Sequence, residues 1–286
     1  MFRPIRIITS SLHTGVGPLR VAQPLPTHAL RDADPFLLLH HAGPQQINSG
    51  GEAHRIEPHP HRGFEPVTFV YRGSVLHRDS LGNAGSISAG EVQWITSGRG
   101  ILHSEGPTPD LMEQGGELEL IQLWINLPAS KKMMQPAYQE LHREMIPTVS
   151  MINGAVLCSV VAGSYGNVTG PAVTQTPITA IMASMQQGGR GILDAPAERR
   201  TLLYVLGGSI RVNDEHRVER QQLVVFDDVD GDIMIEILED GHLLLLGGEP
   251  IGEPIASYGP FVMNTDDELR AAFRDYAGGA FGVLEE

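Results

Sequence analysis

Two short clusters of metal-binding residue types stand out in the chain, His59-Pro60-His61 and His103-Ser104-Glu105, with Glu65 shortly after the first. In an extended strand alternate residues face the same way, so His59 with His61, and His103 with Glu105, each aim two donors at one side of a sheet. Two such strands facing each other make one site of three imidazoles and a carboxylate. Glu65 shares the parity of His61 and competes with Glu105 for the carboxylate place. This donor set suits Fe(II), Mn(II), Ni(II) or Zn(II) and suits Cu(I) or calcium poorly. An octahedral ion held this way keeps two open positions, which allow a bidentate substrate, or substrate and dioxygen together, to reach one ion. A closed four-coordinate zinc would be structural instead.

The elements around these clusters are strands and tight turns. After His61 comes the β-branched and aromatic run Pro66-Val67-Thr68-Phe69-Val70-Tyr71, closed by Arg72-Gly73. A second strand, Val92-Gln93-Trp94-Ile95, and the glycine turn through Gly98 and Gly100 deliver His103. Glycine (33) and proline (20) punctuate many short runs of this kind along the chain. Such a sequence reads as an all-β sandwich or barrel rather than a helical or βαβ protein.

The first cluster with Glu65 matches the H-x-H-x3-E half of a cupin metal motif, and the resemblance is closer than fold level. His59 to Glu65, His77-Arg78-Asp79-Ser80-Leu81-Gly82-Asn83, Gly100 to Glu105, Gln122-Leu123-Trp124-Ile125-Asn126 and Gly259-Pro260-Phe261-Val262-Met263 all resemble the pirin family. Pirins are a branch of the cupins with two barrels in tandem. The resemblance implies two double-stranded β-helix (jelly-roll) barrels. It assigns His59, His61, His103 and Glu105 as ligands, most naturally of Fe(II), and leaves Glu65 as a carboxylate that orients them. The chain departs from the family pattern at His40, where an aspartate is expected, and at Pro66, where a threonine is expected.

The family is associated with dioxygenation of flavonols such as quercetin at the 2,3 bond, and also with regulatory binding to other proteins. The first expectation is therefore an oxidoreductase acting on a small aromatic enol or flavonol with dioxygen. Glu105 is the expected base and Glu65 the alternative. The competing expectation is a metal-bound module that docks on a protein partner without turnover.

Residues 1–130 are expected to form the metal barrel, 131–150 a polar, proline-broken connection, and 151–286 a second barrel ending in a helix at about 265–277. Aligning Tyr204 to Ser209 with Phe69 to Ser74 places Asp194, Pro196 and Arg200 where His59, His61 and Glu65 stand. Proline and arginine cannot ligate a cation, so the second barrel reads as structural. For the helix, Thr265-Asp266-Asp267-Glu268 has capping-box spacing, with Leu269, Ala272, Phe273 and Tyr276 on one face. His54 and His77 read as bystanders. His40 and His41 are adjacent and point to opposite faces, so they cannot both serve one metal. Phe64, Trp94 and Trp124 either line a pocket or fill the core.

Composition bounds the rest. With 41% hydrophobic and 19% charged residues the chain is of the soluble globular type, and no stretch is long and apolar enough to span a membrane. A formal net charge of −14 argues against direct nucleic-acid binding, which needs a cationic surface to displace counterions from phosphates. The N-terminus lacks the order of a signal peptide, and the single cysteine, Cys158, suits a reducing compartment. A cytoplasmic location is expected.

Overall fold

The apolar run Phe64–Arg72 forms a strand that is buried on both faces over most of its length, as its near-continuous hydrophobic sequence requires. It sits within a seven-stranded sheet. The order is Ala137–Leu141, Val92–Thr96, Phe64–Arg72, Gly116–Asn126, Phe36–Ile47, Leu19–Leu25, Leu12–Val16. A four-stranded sheet faces it, in the order Ile56–His61, Ile101–Pro107, Ser74–Asp79, Ala84–Ser88. Val75 and Ile87 of the smaller sheet meet Leu19, Val21, Ala42, Val70 and Leu118 of the larger one in a shared apolar core. The computed structural model describes residues 1–50, 55–194 and 200–284.

Non-local pairing divides the chain into two compact units. One comprises His13–Val21, Phe36–His142 and Ile251–Glu286; the other comprises Met1–Leu12, Ala22–Pro35 and Arg143–Pro250. This corrects the successive division expected from sequence. The first strand, Ile5–Ser10, pairs antiparallel with Gln222–Phe226 and so joins the second unit. The C-terminal segment joins the histidine-bearing unit, where Phe261, Met263, Leu269, Ala272 and Phe281 form a cluster packed on Leu102. The physical reasons are ordinary: an edge strand needs a ladder partner, and burying a phenylalanine contributes roughly 1.5–3 kcal/mol wherever a matching surface lies.

The C-terminal helix runs Asp266–Ala277 with a reciprocal capping box between Thr265 and Glu268. Leu269 and Ala272 are buried, while Phe273 and Tyr276 on the predicted face stay partly exposed. Gly63 shows why this segment lies so near the histidines. It has a φ of +89°, and a Cβ there would meet the Val262 carbonyl oxygen at 1.9 Å. Beyond it the Lys132 ammonium is buried and donates to the carbonyls of Gly63 (2.7 Å) and Val262 (3.0 Å) and to Asn126 Oδ1 (2.7 Å). The Arg62 guanidinium donates to Arg99 O (2.6 Å) and Asp275 Oδ2 (2.8 Å) and lies over the Phe281 ring, 4.7 Å from its centroid.

The second unit is built on a nine-stranded sheet in which Arg200–Val212 and Ile233–Gly248 are the long central strands. Its core is apolar. Ile233, Ile235 and Ile237 alternate inward and meet Val156, Cys158, Ile181, Leu203 and Phe226. Among the described residues no helix is long and apolar enough to cross a membrane.

Candidate metal centre

The strand Ile101–Pro107 lies between Ile56–His61 and Ser74–Asp79, so its inward residues meet both neighbours. His103 pairs directly with His59 on one side and with Asp79 on the other. A bulge follows, and Glu105 pairs with Ile56 and His77. The Gly98 and Gly100 turn sets this strand up; Gly100, at φ +134°, packs against Phe281, and a Cβ there would sit 2.6 Å from the ring.

The three expected histidines converge. One ring nitrogen from each of His59, His61 and His103 lies within 4.8 Å of the others. The ring centroids are 4.9 Å apart for His59 and His61, 4.2 Å for His59 and His103, and 4.8 Å for His61 and His103. His59 Nδ1 donates to the carbonyl of Glu57 at 2.8 Å, which fixes the tautomer and leaves Nε2 with its lone pair. Burial pushes the imidazoles of His61 and His103 well below their usual range, and the neighbouring histidines push the same way; for His61 the carbonyl of Pro260 pulls weakly against this. Both rings are therefore neutral at neutral pH.

Neither ring nitrogen of His61 or His103 has a hydrogen-bond partner of acceptable geometry. Buried imidazoles without well-formed hydrogen bonds are costly, and three imidazoles converging in this way are what a borderline cation fits. The residues present therefore fit a metal ion.

Glu105 lies beside this group rather than within it. Its Oε1 is 3.2 Å from His103 Nδ1 and accepts from Gln122 Nε2 at 3.1 Å, while Oε2 accepts from Thr68 Oγ1 at 3.4 Å. Glu65 is fully buried and points elsewhere: its Oε1 accepts from Trp94 Nε1 (3.1 Å) and Thr96 Oγ1 (2.8 Å) on the adjoining strand. Trp94 is thus core that holds Glu65. Trp124 and Phe64 instead stack on each other (4.2 Å) and wall the site beside His61, at 5.3 and 5.0 Å between ring centroids. Trp124 Nε1 also donates to Gln122 Oε1 at 3.3 Å, so the indole braces the amide that braces Glu105.

His77, read from sequence as a bystander, lies next to the three histidines without joining their cluster. It is fully buried, its ring 5.5 Å from that of His103 and stacked at 4.7 Å on Tyr138. Its Nε2 donates to Asp79 Oδ2 and its Nδ1 accepts from Gln93 Nε2, both at 3.2 Å. Burial alone would raise the Asp79 carboxyl, but hydrogen bonds from His77, Asn83 and the Leu81 amide together hold it below its usual value. The signal available in sequence was parity, since His77 and Asp79 alternate as His59 and His61 do.

Of the remaining expectations, His41 turns away from the site and its Nε2 lies 3.1 Å from Glu119 Oε1. His40 faces the barrel interior opposite Gln122, and burial lowers its imidazole to about 4. With Glu105 and Gln122, His40 borders a narrow cavity of ≈ 30 Å³ whose other walls are apolar, including Val16, Val75 and Leu120. His54 and Pro196 lie outside the described residues. Asp194 follows the strand Arg190–Leu193, and Arg200 is paired with Asp228 at 2.8 Å.

Comparison with known proteins bears on the whole chain. The Pirin family model matches residues 18–125, and the model of the Pirin C-terminal cupin domain matches residues 180–282. A Pseudomonas aeruginosa protein provisionally named quercetin 2,3-dioxygenase is 42% identical over 247 residues, covering 86% of each chain. A crystal structure titled quercetin 2,3-dioxygenase from Acinetobacter baumannii superposes over 100% of both chains with a TM-score of 0.95 and 35% identity. A bacterial pirin from Escherichia coli, solved in complex with nickel(II), shares the fold at a TM-score of 0.67 and 20% identity, over 85% of this chain and 99% of that one.

Proposed function

The chain belongs to the pirin family, and from that premise we propose that it is an iron-dependent dioxygenase of flavonol-type enols, with His59, His61, His103 and Glu105 as the ligand set. The observation that carries this reading is the convergence of three imidazoles, two of them buried and making no well-formed hydrogen bond through either ring nitrogen, beside a carboxylate that other side chains hold in place. Mn(II), Ni(II) or Zn(II) would fit the same donors. A ferrous ion held there would supply the Lewis acidity and one-electron chemistry that oxygenation of an enol needs and that no protein side chain offers.

The protein residues do the rest. Gln122, braced by Trp124, and Thr68 hold the Glu105 carboxylate in place, so that on release from the metal it could take the proton of an enolic hydroxyl arriving at the histidines. Phe64 and Trp124 offer a flat aromatic wall against which a planar ring can lie, and they keep water from that side. Held together in this way, enolate and oxidant gain their rate mainly through proximity. Glu65, already accepting from two donors, is better placed to stiffen the barrel than to move a proton.

The test is to load the protein anaerobically with Fe(II), add quercetin and admit oxygen. Oxygen uptake with loss of flavonol absorbance should track iron content and vanish in His61→Ala. Spectral evidence of flavonol binding to iron-replete protein without oxygen uptake would end this reading. It would favour the metal-bound docking module, for which the exposed aromatics Tyr258 (72% exposed) and Tyr276 (41%) near the C-terminal helix are the surface to examine.

A further inference from the structure

The narrow cavity between the two sheets of the histidine-bearing unit has a polar end and an apolar body. Glu105, Gln122 and His40 border it together, while Val16, Val75 and Leu120 are among its apolar walls. Glu105 also touches His103, so this carboxylate is the one side chain shared by the cavity wall and the histidine cluster. Close-packed cores leave few voids of this kind, because unfilled apolar space forfeits dispersion contacts.

We propose that the cavity receives an apolar arm of the substrate, and that the arm is a short alkyl chain rather than an aryl ring. The inference rests on the enol-oxygenase reading given above and specifies its substrate class: a hydroxy-enone carrying one to three aliphatic carbons next to its enolic hydroxyl. Two observations decide between alkyl and aryl. The space is ≈ 30 Å³, whereas an apolar cavity that accepts benzene is about 150 Å³. The hydrogen-bonding side chains gather at the Glu105 end, so a hydroxylated ring in the apolar body would bury its hydroxyls against Val16, Val75 and Leu120, at a large desolvation cost. The aryl ring of a flavonol would then lie outside this cavity, and flavonols would be surrogates for a smaller compound.

The test uses the full-length protein loaded with Ni(II) and kept free of dioxygen, so that no turnover occurs, and 3-hydroxy-4-pyranones bearing hydrogen, methyl, ethyl, propyl or phenyl at the carbon beside the hydroxyl. Affinity is read by titration calorimetry. The expected result is a gain of about fourfold for each carbon from hydrogen to ethyl, with the phenyl compound weaker than the ethyl one. Val16→Phe, at the half-buried rim, should abolish the gain, and Val75→Ala should move the optimum to propyl or longer. Nickel content of each variant shows that its barrel has folded. A flat series, a phenyl compound that binds tightest, or an unchanged series in nickel-replete Val16→Phe would overturn the cavity assignment and leave the enol-oxygenase reading standing. Failure of the unsubstituted pyranone to bind nickel-replete protein would instead overturn that reading, and the cavity assignment with it.

Discussion

Acidification should destabilise the histidine-bearing barrel, and His40 lets the size of the effect be worked out. Burial holds its folded-state pKa at about 4, against 6.5 when it is free in the unfolded chain. Well above pH 6.5 neither state is protonated and His40 contributes nothing. Between the two values the unfolded chain binds more protons than the folded one, so stability falls as pH falls. The loss levels off once the folded-state group also titrates. From this one residue it is about 1.4 kcal/mol at about pH 5.5 and approaches about 3.4 kcal/mol below about pH 4. His61 and His103 are shifted in the same direction by burial and add to the slope.

The assay is urea unfolding of metal-free protein, followed by tryptophan fluorescence. Both tryptophans, Trp94 and Trp124, belong to this barrel, so the signal reports it alone. Wild type and His40→Gln are compared at about pH 7.5 and about pH 5.5, and the contributions of His61 and His103 cancel in the comparison. Wild type should lose about 1.4 kcal/mol more than the variant on acidification. Equal losses in the two proteins would refute the reasoning, because the imidazole would then titrate alike in folded and unfolded chains.

Protein expressed in iron-supplemented medium should hold one metal per chain; His61→Ala and His103→Ala should lose most of it by elemental analysis, while the exposed His216→Ala keeps it. Glu105→Gln should weaken metal binding more than Glu65→Gln, and the reverse order would favour Glu65 as the ligand. Lys132→Met removes the donor to three acceptors in three segments and should cost about 3–5 kcal/mol in the same urea assay; a loss below about 1 kcal/mol would refute the clamp. Cys158 is buried, and burial raises its thiol to about 11, so a disulfide-exchange reagent at about pH 8 should label it in denaturant and leave the native protein unlabelled.

Much of the candidate site was legible because its residues obey a short-range rule. His59 with His61, and His103 with Glu105, alternate along strands, and period-two geometry says which side of a sheet each will face. The capping box at Thr265 and Glu268 is likewise local, and the helix starts where it predicts. The second barrel's apolar interior follows from the same alternation, as in Ile233, Ile235 and Ile237.

Parity cannot say which strand stands opposite, and that is where sequence reasoning stopped. Glu65 and Glu105 have equivalent parity with their histidines. Sheet order separates them, setting Glu65 beside the strand that carries Trp94 and Thr96 and setting Glu105 against Gln122. The pairing of Ser74–Asp79 with Ile101–Pro107 brings His77 beside His103, a proximity that sequence alone does not indicate. The two termini settled in units that their positions along the chain do not indicate, because an unpaired strand edge and a cluster of buried aromatics are satisfied by whichever complementary surface folding brings near. Local periodicity therefore determined which candidate donors share a face, while long-range pairing decided which groups surround them and how much space is left beside them.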